Sequence, residues 1–494
     1  MPLPLLIALV LAFGLDTIDE TGSFTSGELE RRVAQVGGGL ILVAALACVF
    51  GIFVARFAGQ RGGSSRATRR LQGWGGGALE ILALGYFAWV IHWVDWVRVV
   101  EWGLGLRQAI VLDEFLIILP YLLAQLAVWW GLYPGERALR AGRFGTDRMV
   151  SRSRHLILKA RMTYGLVLPV ALIYTLTRDL ITRYDPRLAS DPWAEVGGIA
   201  LLGALIPVMA PALARLSWPS RPLGPGPLRD RLERLAHRFG FRCTEILVWD
   251  TGGAVINAGV TGSLPWFRYV LLSDALIKLL DDHEIEAVFG HEVGHVAHRH
   301  LPYFGFFFLG SLGVMALAAH LVKLAASAVL GPDTGELITA VVEISAVLVC
   351  LAVYFLGFFG FLSRRFERQA DVFGCRAVSC GRAQCPPHAD LNAHETAVPE
   401  SSNLCPVGIR IFSNALSRVE QLNGPPEGPL SRLFTWRHGR VSRRLAFLNT
   451  LDGHPEAERR FQSGIARLRL VVALMLVAAL VAAVATHSLR YLAG

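Results

Sequence analysis

The sequence has few charged residues, and lysine is almost missing from those it has. Charged side chains make up 18% of the 494 residues and apolar ones 53%, and the mean hydropathy is +0.45. Only three of the 48 lysines and arginines are lysine, a balance typical of a GC-rich bacterial genome. This composition excludes an ordinary water-soluble globular protein. Several apolar runs reach the roughly 20 residues that a helix needs to cross a bilayer, which indicates a polytopic membrane protein.

The sequence also lacks a recognisable RNA- or DNA-binding motif and any fixed-period repeat. Its formal net charge of +9 and its pI near 9.4 would suit a nucleic-acid partner. Most of the arginines, however, lie beside apolar runs, where the excess of positive charge in cytoplasmic loops accounts for them. We therefore expect the lipid bilayer, and no nucleic acid, as a partner. The oligomeric state stays open.

Apolar runs and polar blocks alternate along the chain and divide it into six parts. In order, these are N-terminal transmembrane helices at 1–216, a Pro/Gly-rich linker at 217–229, a polar block at 230–301, a transmembrane hairpin at 302–362, a second polar block at 363–467 and a last transmembrane helix at 468–494. The apolar start at 1–14 has no basic residues before it, so a marginal span and a signal peptide both remain open.

The loops between the predicted spans differ in charge, and this difference predicts the orientation. Arginines are concentrated at 56–70 and at 137–161, after the first and the third strong span. Loops of this kind face the cytoplasm. Alternation of the spans then places both polar blocks on the same side. We expect a multi-pass protein of a bacterial cytoplasmic (inner) membrane whose polar blocks face the cytoplasm.

The stretch FGHEVGHVAHRH ends the first polar block and contains four histidines and one glutamate. His291 and His295 are four residues apart, so on a helix their imidazoles share one face and can bind one zinc ion. Glu292 lies beside them and can take a proton from an attacking water. A polar helix face with satisfied histidines is the alternative. His298 and His300 do not continue the spacing and are predicted to be surface or lipid-headgroup neighbours.

A third ligand is expected in the stretch FLSRRFERQADVFG, which follows the predicted hairpin. Glu367 and Asp371 are again four residues apart on a predicted helix. Glu367 can bind the metal, and Asp371 can accept the free ring N–H of a ligating histidine. An ordinary charged helix beside the membrane is the alternative. The two stretches together favour a metal site.

HEVGH followed by SRRFERQAD resembles the integral-membrane zinc metallopeptidases that include the type-I CAAX prenyl endopeptidases and HtpX-like proteases. NAGVTG and VLLSDALIKLLDDHEIEAVFGHE agree with the same family, as does WRHGRVSRRL. In the last stretch His438 and Arg444 occupy family positions, whereas Gly439 and Arg440 replace two prolines. The resemblance covers roughly residues 230–449.

The resemblance implies a mainly α fold, a polytopic transmembrane helix bundle with a gluzincin-type zinc metalloprotease domain that carries a small β-sheet. The two polar blocks are then the halves of the peptidase domain. His438 is expected to stabilise the oxyanion, and Asn257 and Ala258 to pair with an extended substrate backbone.

The implied function is zinc-dependent endoproteolysis of membrane or membrane-associated proteins in quality control, with polypeptides as substrates. The alternatives are a CAAX-type processing protease and a non-catalytic membrane scaffold or transporter with a degenerate protease module.

A cysteine-rich insert at 375–405 interrupts the second half of the predicted peptidase domain. Cys375, Cys380, Cys385 and Cys405 are four of the seven cysteines in the chain. Four clustered cysteines suit one structural zinc ion or two disulfides, and unpaired thiols are the third alternative. Because a cytoplasmic location keeps thiols reduced, we predict a second, structural zinc ion bound mainly by these four cysteines.

Overall fold

The structure is a computed structural model that describes residues 3–13, 24–61, 65–107, 109–144, 151–189, 192–253, 255–307, 321–322, 325, 349, 353–380, 404–423 and 438–493. Most of the predicted transmembrane hairpin and most of the cysteine-rich insert lie outside these residues.

The N-terminal part is helical. Its helices are α1 (Leu3–Phe13), α2 (Ser26–Arg61), α3 (Arg66–His92), α4 (Trp96–Arg98), α5 (Leu112–Phe144), α6 (Arg152–Tyr184), α7 (Pro186–Ala189) and α8 (Pro192–Ser217), with a π-helical turn at Val99–Gly103 after α4. Leu5 and Ala8 of α1 are fully buried in the core that α2, α3 and α5 form.

Small residues let two of these helices approach closely. A Cβ on Gly51 of α2 would lie 1.9 Å from the carbonyl oxygen of Gly131 on α5, and a Cβ on Gly131 would lie 2.5 Å from the backbone of Ala47. Helices in membranes commonly pack through such small residues.

Five helices in the described part of the chain are long and apolar enough to span a membrane. They include residues Ser26–Gln60, Arg66–His92, Leu112–Ala141, Arg152–Tyr184 and Pro455–Ala478. The prediction of a polytopic membrane protein is therefore confirmed.

The remaining elements form a mixed domain and a last long helix. They are β1 (Ser220–Pro222), α9 (Pro227–Arg238), β2 (Glu245–Trp249), β3 (Ala258–Thr261), β4 (Tyr269–Ser273), α10 (Asp274–Leu279), α11 (Asp282–Ala297), α12 (Gly360–Ala377), α13 (Pro406–Asn423), α14 (Val441–Asn449) and α15 (Pro455–Ala493). β1 and the start of α9 fall within the predicted linker.

The sheet has the strand order β1-β2-β4-β3. β2 and β4 are parallel, and the other two pairs are antiparallel. β3 therefore lies at an edge. The predicted fold class, a helical membrane bundle with a small β-sheet, is confirmed.

Helix α11 is built from a strong start signal and one apolar face. Asp281 accepts from the backbone N–H of Glu284, and Glu284 accepts from the backbone N–H of Asp281. This reciprocal capping satisfies two N–H groups that a helix end leaves unpaired. Ile285, Phe289 and Val293 follow at intervals of four and are buried in the domain core. This spacing places His291 and His295 on a different face of α11.

Glycines on that helix allow α12 to lie directly against it. A Cβ on Gly290 would lie 2.3 Å from Cβ of Ala377, and a Cβ on Gly294 would lie 2.8 Å from Cβ of Phe373. Neither neighbour can move without moving α12. The two helices are therefore close enough for side chains from both to reach one point.

Candidate metal centre

His291 and His295 of α11 meet Glu367 of α12. The Nε2 atoms of the two histidines are 3.2 Å apart. Glu367 Oε2 lies 3.7 Å from Nε2 of His291, and its Oε1 lies 3.8 Å from Nε2 of His295. Tetrahedral zinc with ligands at about 2.0–2.1 Å would separate neighbouring ligand atoms by about 3.3 Å. Two imidazoles and a carboxylate at these separations fit zinc and leave one position open.

Asp371 lies behind the first of these histidines. Its Oδ1 is 3.1 Å from Nδ1 of His291, although the ring N–H is not aligned for a hydrogen bond in this orientation. Arg444 of α14 donates from Nε to Oδ2 of Asp371 at 2.8 Å and from Nη2 to Oδ1. Burial alone would raise the pKa of the Asp371 carboxyl, but the guanidinium of Arg444 lowers it. The carboxyl of Asp371 is therefore ionised and can accept a hydrogen bond from the ring N–H of His291.

Glu367 is also kept ionised by its neighbours. Burial would raise the pKa of its carboxyl, but the imidazole of His438 and the guanidinium of Arg444 hold it well below the usual value. His438 Nδ1 lies 2.8 Å from Oε1 of Glu367, and Arg444 Nη1 lies 3.5 Å from Oε2. An ionised carboxylate is the form that binds a metal ion.

His438 reaches the site from a turn that proline could not form. Gly439 has a φ of +74°, whereas proline is fixed near about −65°. The imidazole of His438 is 57% exposed and lies at the rim of the site. The replacement of the family's prolines thus changes the backbone but leaves the histidine at the metal centre.

Glu292 connects the metal centre to the edge strand β3. Its Oε2 accepts a hydrogen bond from the backbone N–H of Val260 at 3.1 Å. Burial raises the pKa of the Glu292 carboxyl. A raised pKa makes a carboxylate a stronger base toward an attacking water.

The side of β3 that pairs with no strand in the described part of the chain runs past this carboxyl. Asn257 directs its backbone toward β4, because its N–H donates to Oγ of Ser273 at 3.0 Å and its carbonyl accepts from the N–H of Ser273 at 3.0 Å. Alternate residues point their backbone groups the other way. Ala258 and Val260 therefore face outward. The structure gives Asn257 an exposed side chain but no free backbone.

The prediction that His300 is a surface or headgroup neighbour is wrong. His300 is 1% exposed, and its Nδ1 lies 2.9 Å from Nδ1 of His295. Its ring stacks on Phe366 with centroids 4.3 Å apart. Arg299 has a φ of +53° and reverses the chain after α11, which brings His300 back toward the site. Helical spacing could not reveal this contact, because the helix ends first. His298 is partly buried against Phe373.

Three of the four cysteines of the predicted insert lie in the described part of the chain. Cys375, Cys380 and Cys405 are buried and form no disulfide with one another, and burial raises the pKa of the Cys375 thiol well above its usual value. Among the described residues, the groups that could hold a metal ion are the site above and the carboxylates of Asp113, Glu114 and Asp179; neither contains a cysteine. Cys385 lies outside the described residues. The second zinc ion stays a prediction.

The chain is similar to several known proteins. Residues 223–465 match the family described as Peptidase family M48. A protease HtpX homolog of Pyrobaculum islandicum is 28% identical over 199 residues, which cover 39% of this chain and 55% of the relative. A protease HtpX homolog of Aeropyrum pernix is 29% identical over 241 residues, which cover 44% of this chain and 73% of that relative.

A eukaryotic relative and a solved structure are also similar to the chain. A probable CAAX prenyl protease 1 of Schizosaccharomyces pombe is 30% identical over 119 residues, which cover 24% of each protein. The crystal structure of S. mikatae Ste24p aligns with 87% of this chain and 100% of that chain at 15% identity and a TM-score of 0.48. The matched part of the chain spans about half the length of the Pyrobaculum islandicum relative and about a quarter of the Schizosaccharomyces pombe relative.

Proposed function

We propose that the chain, whose residues 223–465 match peptidase family M48, is a membrane-embedded zinc-dependent endopeptidase of that family. Its substrates are membrane or membrane-associated proteins, which it hydrolyses in quality control. The observation that carries the proposal is the convergence of His291, His295 and Glu367 on one point, with Glu292 beside it and hydrogen-bonded at 3.1 Å to the edge strand β3.

The chemistry is hydrolysis of a peptide bond. His291, His295 and Glu367 would hold a zinc ion, which would supply Lewis acidity toward the scissile carbonyl and the attacking water. Glu292 takes a proton from that water and then delivers it to the leaving amine. His438 donates a hydrogen bond to the developing oxyanion, a role that its exposed position at the rim of the site permits. Asp371 holds the ring of His291.

The free edge of β3 binds the substrate as an added strand. Ala258 offers an outward N–H and C=O, and Val260 offers a carbonyl beside the N–H that Glu292 occupies. Main-chain pairing of this kind provides affinity without demanding particular side chains. Asn257 contributes through its side chain, since its backbone is bonded to Ser273. Such binding suits an enzyme that cuts varied polypeptides.

The anchoring of this edge strand supports the proposal. The amide of Asn423 on α13 accepts from the N–H of Ile256 at 3.1 Å and donates to its carbonyl at 2.7 Å. This two-point contact fixes the backbone immediately before Ala258. A fixed edge loses little conformational entropy when a substrate strand pairs with it.

The experiment is a cleavage assay on a panel of purified membrane proteins with the full-length chain in lipid. We expect wild type to cut several of them and Glu292→Gln to cut none, while Glu456→Gln, an exposed glutamate on α15, serves as the matched control. A farnesylated CAAX peptide is included. Cleavage of that peptide alone would replace quality control by CAAX-type processing, and equal cleavage by wild type and Glu292→Gln would refute the proposed chemistry.

A further inference from the structure

The outward ring nitrogens of the two histidine ligands have different kinds of partner. Nδ1 of His291 lies 3.1 Å from the carboxylate of Asp371. Nδ1 of His295 lies 2.9 Å from an imidazole nitrogen of His300. One ligand thus has a carboxylate behind it and the other an imidazole.

The directions of the hydrogen bonds at His300 follow from the ligand atom of His295. Nε2 of His295 faces the other ligands, so the ring proton of His295 is on Nδ1. This N–H donates a hydrogen bond to Nδ1 of His300. His300 then carries its own proton on Nε2, where Oε1 of Gln369 lies 3.0 Å away and accepts it. In this arrangement the ring N–H of His295 and the ring N–H of His300 each meet an acceptor. A protonated His300 would place two donors face to face.

Gln369 connects this pair to α15, the helix with the last candidate span. Arg469 donates from Nη2 to Oε1 of Gln369 at 3.1 Å, and Nε2 of Gln369 donates to Oε1 of Gln462 at 2.6 Å. The guanidinium of Arg469 also lies 4.6 Å above the ring of Phe366, on which His300 stacks. The second ligand is therefore linked, contact by contact, to a helix that is predicted to cross the membrane.

We propose that His300 is a positioning residue for the metal centre. It orients His295 by accepting a hydrogen bond from its ring N–H, and it is itself held on α15 through Gln369. The proposal rests on the zinc ion of the proposed function. It makes zinc affinity depend on the docking of the last membrane helix, through residues that do not touch the metal.

Two substitutions separate orientation from packing. His300→Phe keeps a flat ring on Phe366 and removes the acceptor. His300→Asn keeps an acceptor near the place of Nδ1 and removes the stacked ring. His237→Ala, an exposed histidine on α9, is the matched control. For each full-length variant we would measure zinc affinity by chelator competition, the cobalt absorption spectrum and the melting temperature of the metal-free chain.

If His300 orients the ligand, His300→Phe weakens zinc binding by about 10–100-fold and changes the cobalt spectrum, while His300→Asn stays within about threefold of wild type, less than the range expected for losing such a partner. If His300 only packs, His300→Phe binds zinc like wild type, and that result overturns the inference. A wild-type chain that binds no zinc would instead overturn the proposed function, so the two failures are distinguishable.

The link to α15 has its own pair of variants. Arg469→Met keeps the stem of the side chain and removes the donor to Gln369, whereas Arg467→Met changes an exposed arginine on the same helix. We expect the first to weaken zinc binding and the second to leave it unchanged. Equal zinc affinities in the two variants would show that α15 plays no part.

Discussion

Asp371 and Arg444 are a buried ion pair that lies directly behind His291. The carboxylate is fully buried, and the guanidinium donates to both of its oxygens. A fork of this kind fixes the plane of the carboxylate as well as its charge. Removing one partner of a buried pair leaves the other uncompensated and costs about 3–5 kcal/mol. The pair therefore supports both the fold and the proposed orientation of His291.

These two contributions can be separated. Asp371→Ala should weaken zinc binding by about 10–100-fold and lower the melting temperature, because the buried guanidinium of Arg444 loses both hydrogen bonds to Asp371 and keeps only the 3.5 Å contact with Glu367. Asp371→Ala/Arg444→Met removes that cation, so it should regain stability but not zinc affinity. Chelator competition and thermal unfolding of the metal-free chain measure the two effects. Recovery of zinc affinity in the double variant would mean that Asp371 acts only through the fold.

Which site residues could be predicted depends on how far helical periodicity extends. His291 and His295 are four residues apart on α11, and Glu367 and Asp371 are four residues apart on α12. Spacing alone placed each pair on one face. His300 lies beyond the end of α11, and a left-handed turn at Arg299 brings it back. No local pattern encodes a contact made after a helix has ended.

At the scale of elements, the distance between α11 and α12 determines whether the three ligands meet. Gly294 contacts Phe373 so closely that a Cβ would lie 2.8 Å from its Cβ and 3.2 Å from Cα of Ala370. Ala370 lies between Glu367 and Asp371 on α12. A larger side chain at position 294 therefore pushes the third ligand away from the histidines.

Gly294→Val should consequently lower both the zinc content and the melting temperature, although it alters no ligand. Gly464→Ala is the matched control, since no atom lies within 4 Å of a Cβ there and alanine favours a helix by up to about 1 kcal/mol. Zinc per chain and thermal unfolding are the measurements. A Gly294→Val protein with wild-type zinc content would show that the helices can separate without loss of the site.

The edge strand allows a second test at this scale. Ala258→Pro removes an outward N–H, and proline is tolerated on an edge strand where that group pairs with nothing in the sheet. We expect kcat/KM for polypeptides to fall by about tenfold or more, because the substrate loses one hydrogen bond between uncharged groups. The zinc content should stay unchanged. Unchanged kinetics would place the substrate elsewhere.

At the scale of the whole molecule, the proposed orientation places the peptidase domain in the cytoplasm. Arg66 begins α3 and Asp185 follows α6, and both are exposed. Three candidate spans lie between them, so they should be on opposite sides. In a background without reactive native cysteines, Asp185→Cys should react with an impermeant thiol reagent in intact cells, and Arg66→Cys only after permeabilisation. The reverse labelling would invert the orientation.

Hydropathy predicts the spans because a bilayer requires long apolar helices, whatever their neighbours. It could not predict that α15 is linked to the metal centre through Gln369 and His300. The first step of that link joins Arg469 to Gln369, residues far apart in sequence that meet only through packing. The strand order β1-β2-β4-β3 was beyond prediction for the same reason.

The central claim is that His291, His295 and Glu367 bind the zinc ion with which Glu292 hydrolyses peptides. The most direct measurement is zinc per chain, together with peptide hydrolysis, in wild type, Glu292→Gln and His291→Ala/His295→Ala. We predict that Glu292→Gln keeps all the zinc of wild type and loses hydrolysis, and that the histidine variant holds one zinc ion fewer. Equal zinc contents in wild type and the histidine variant, or an active Glu292→Gln enzyme, would contradict the account.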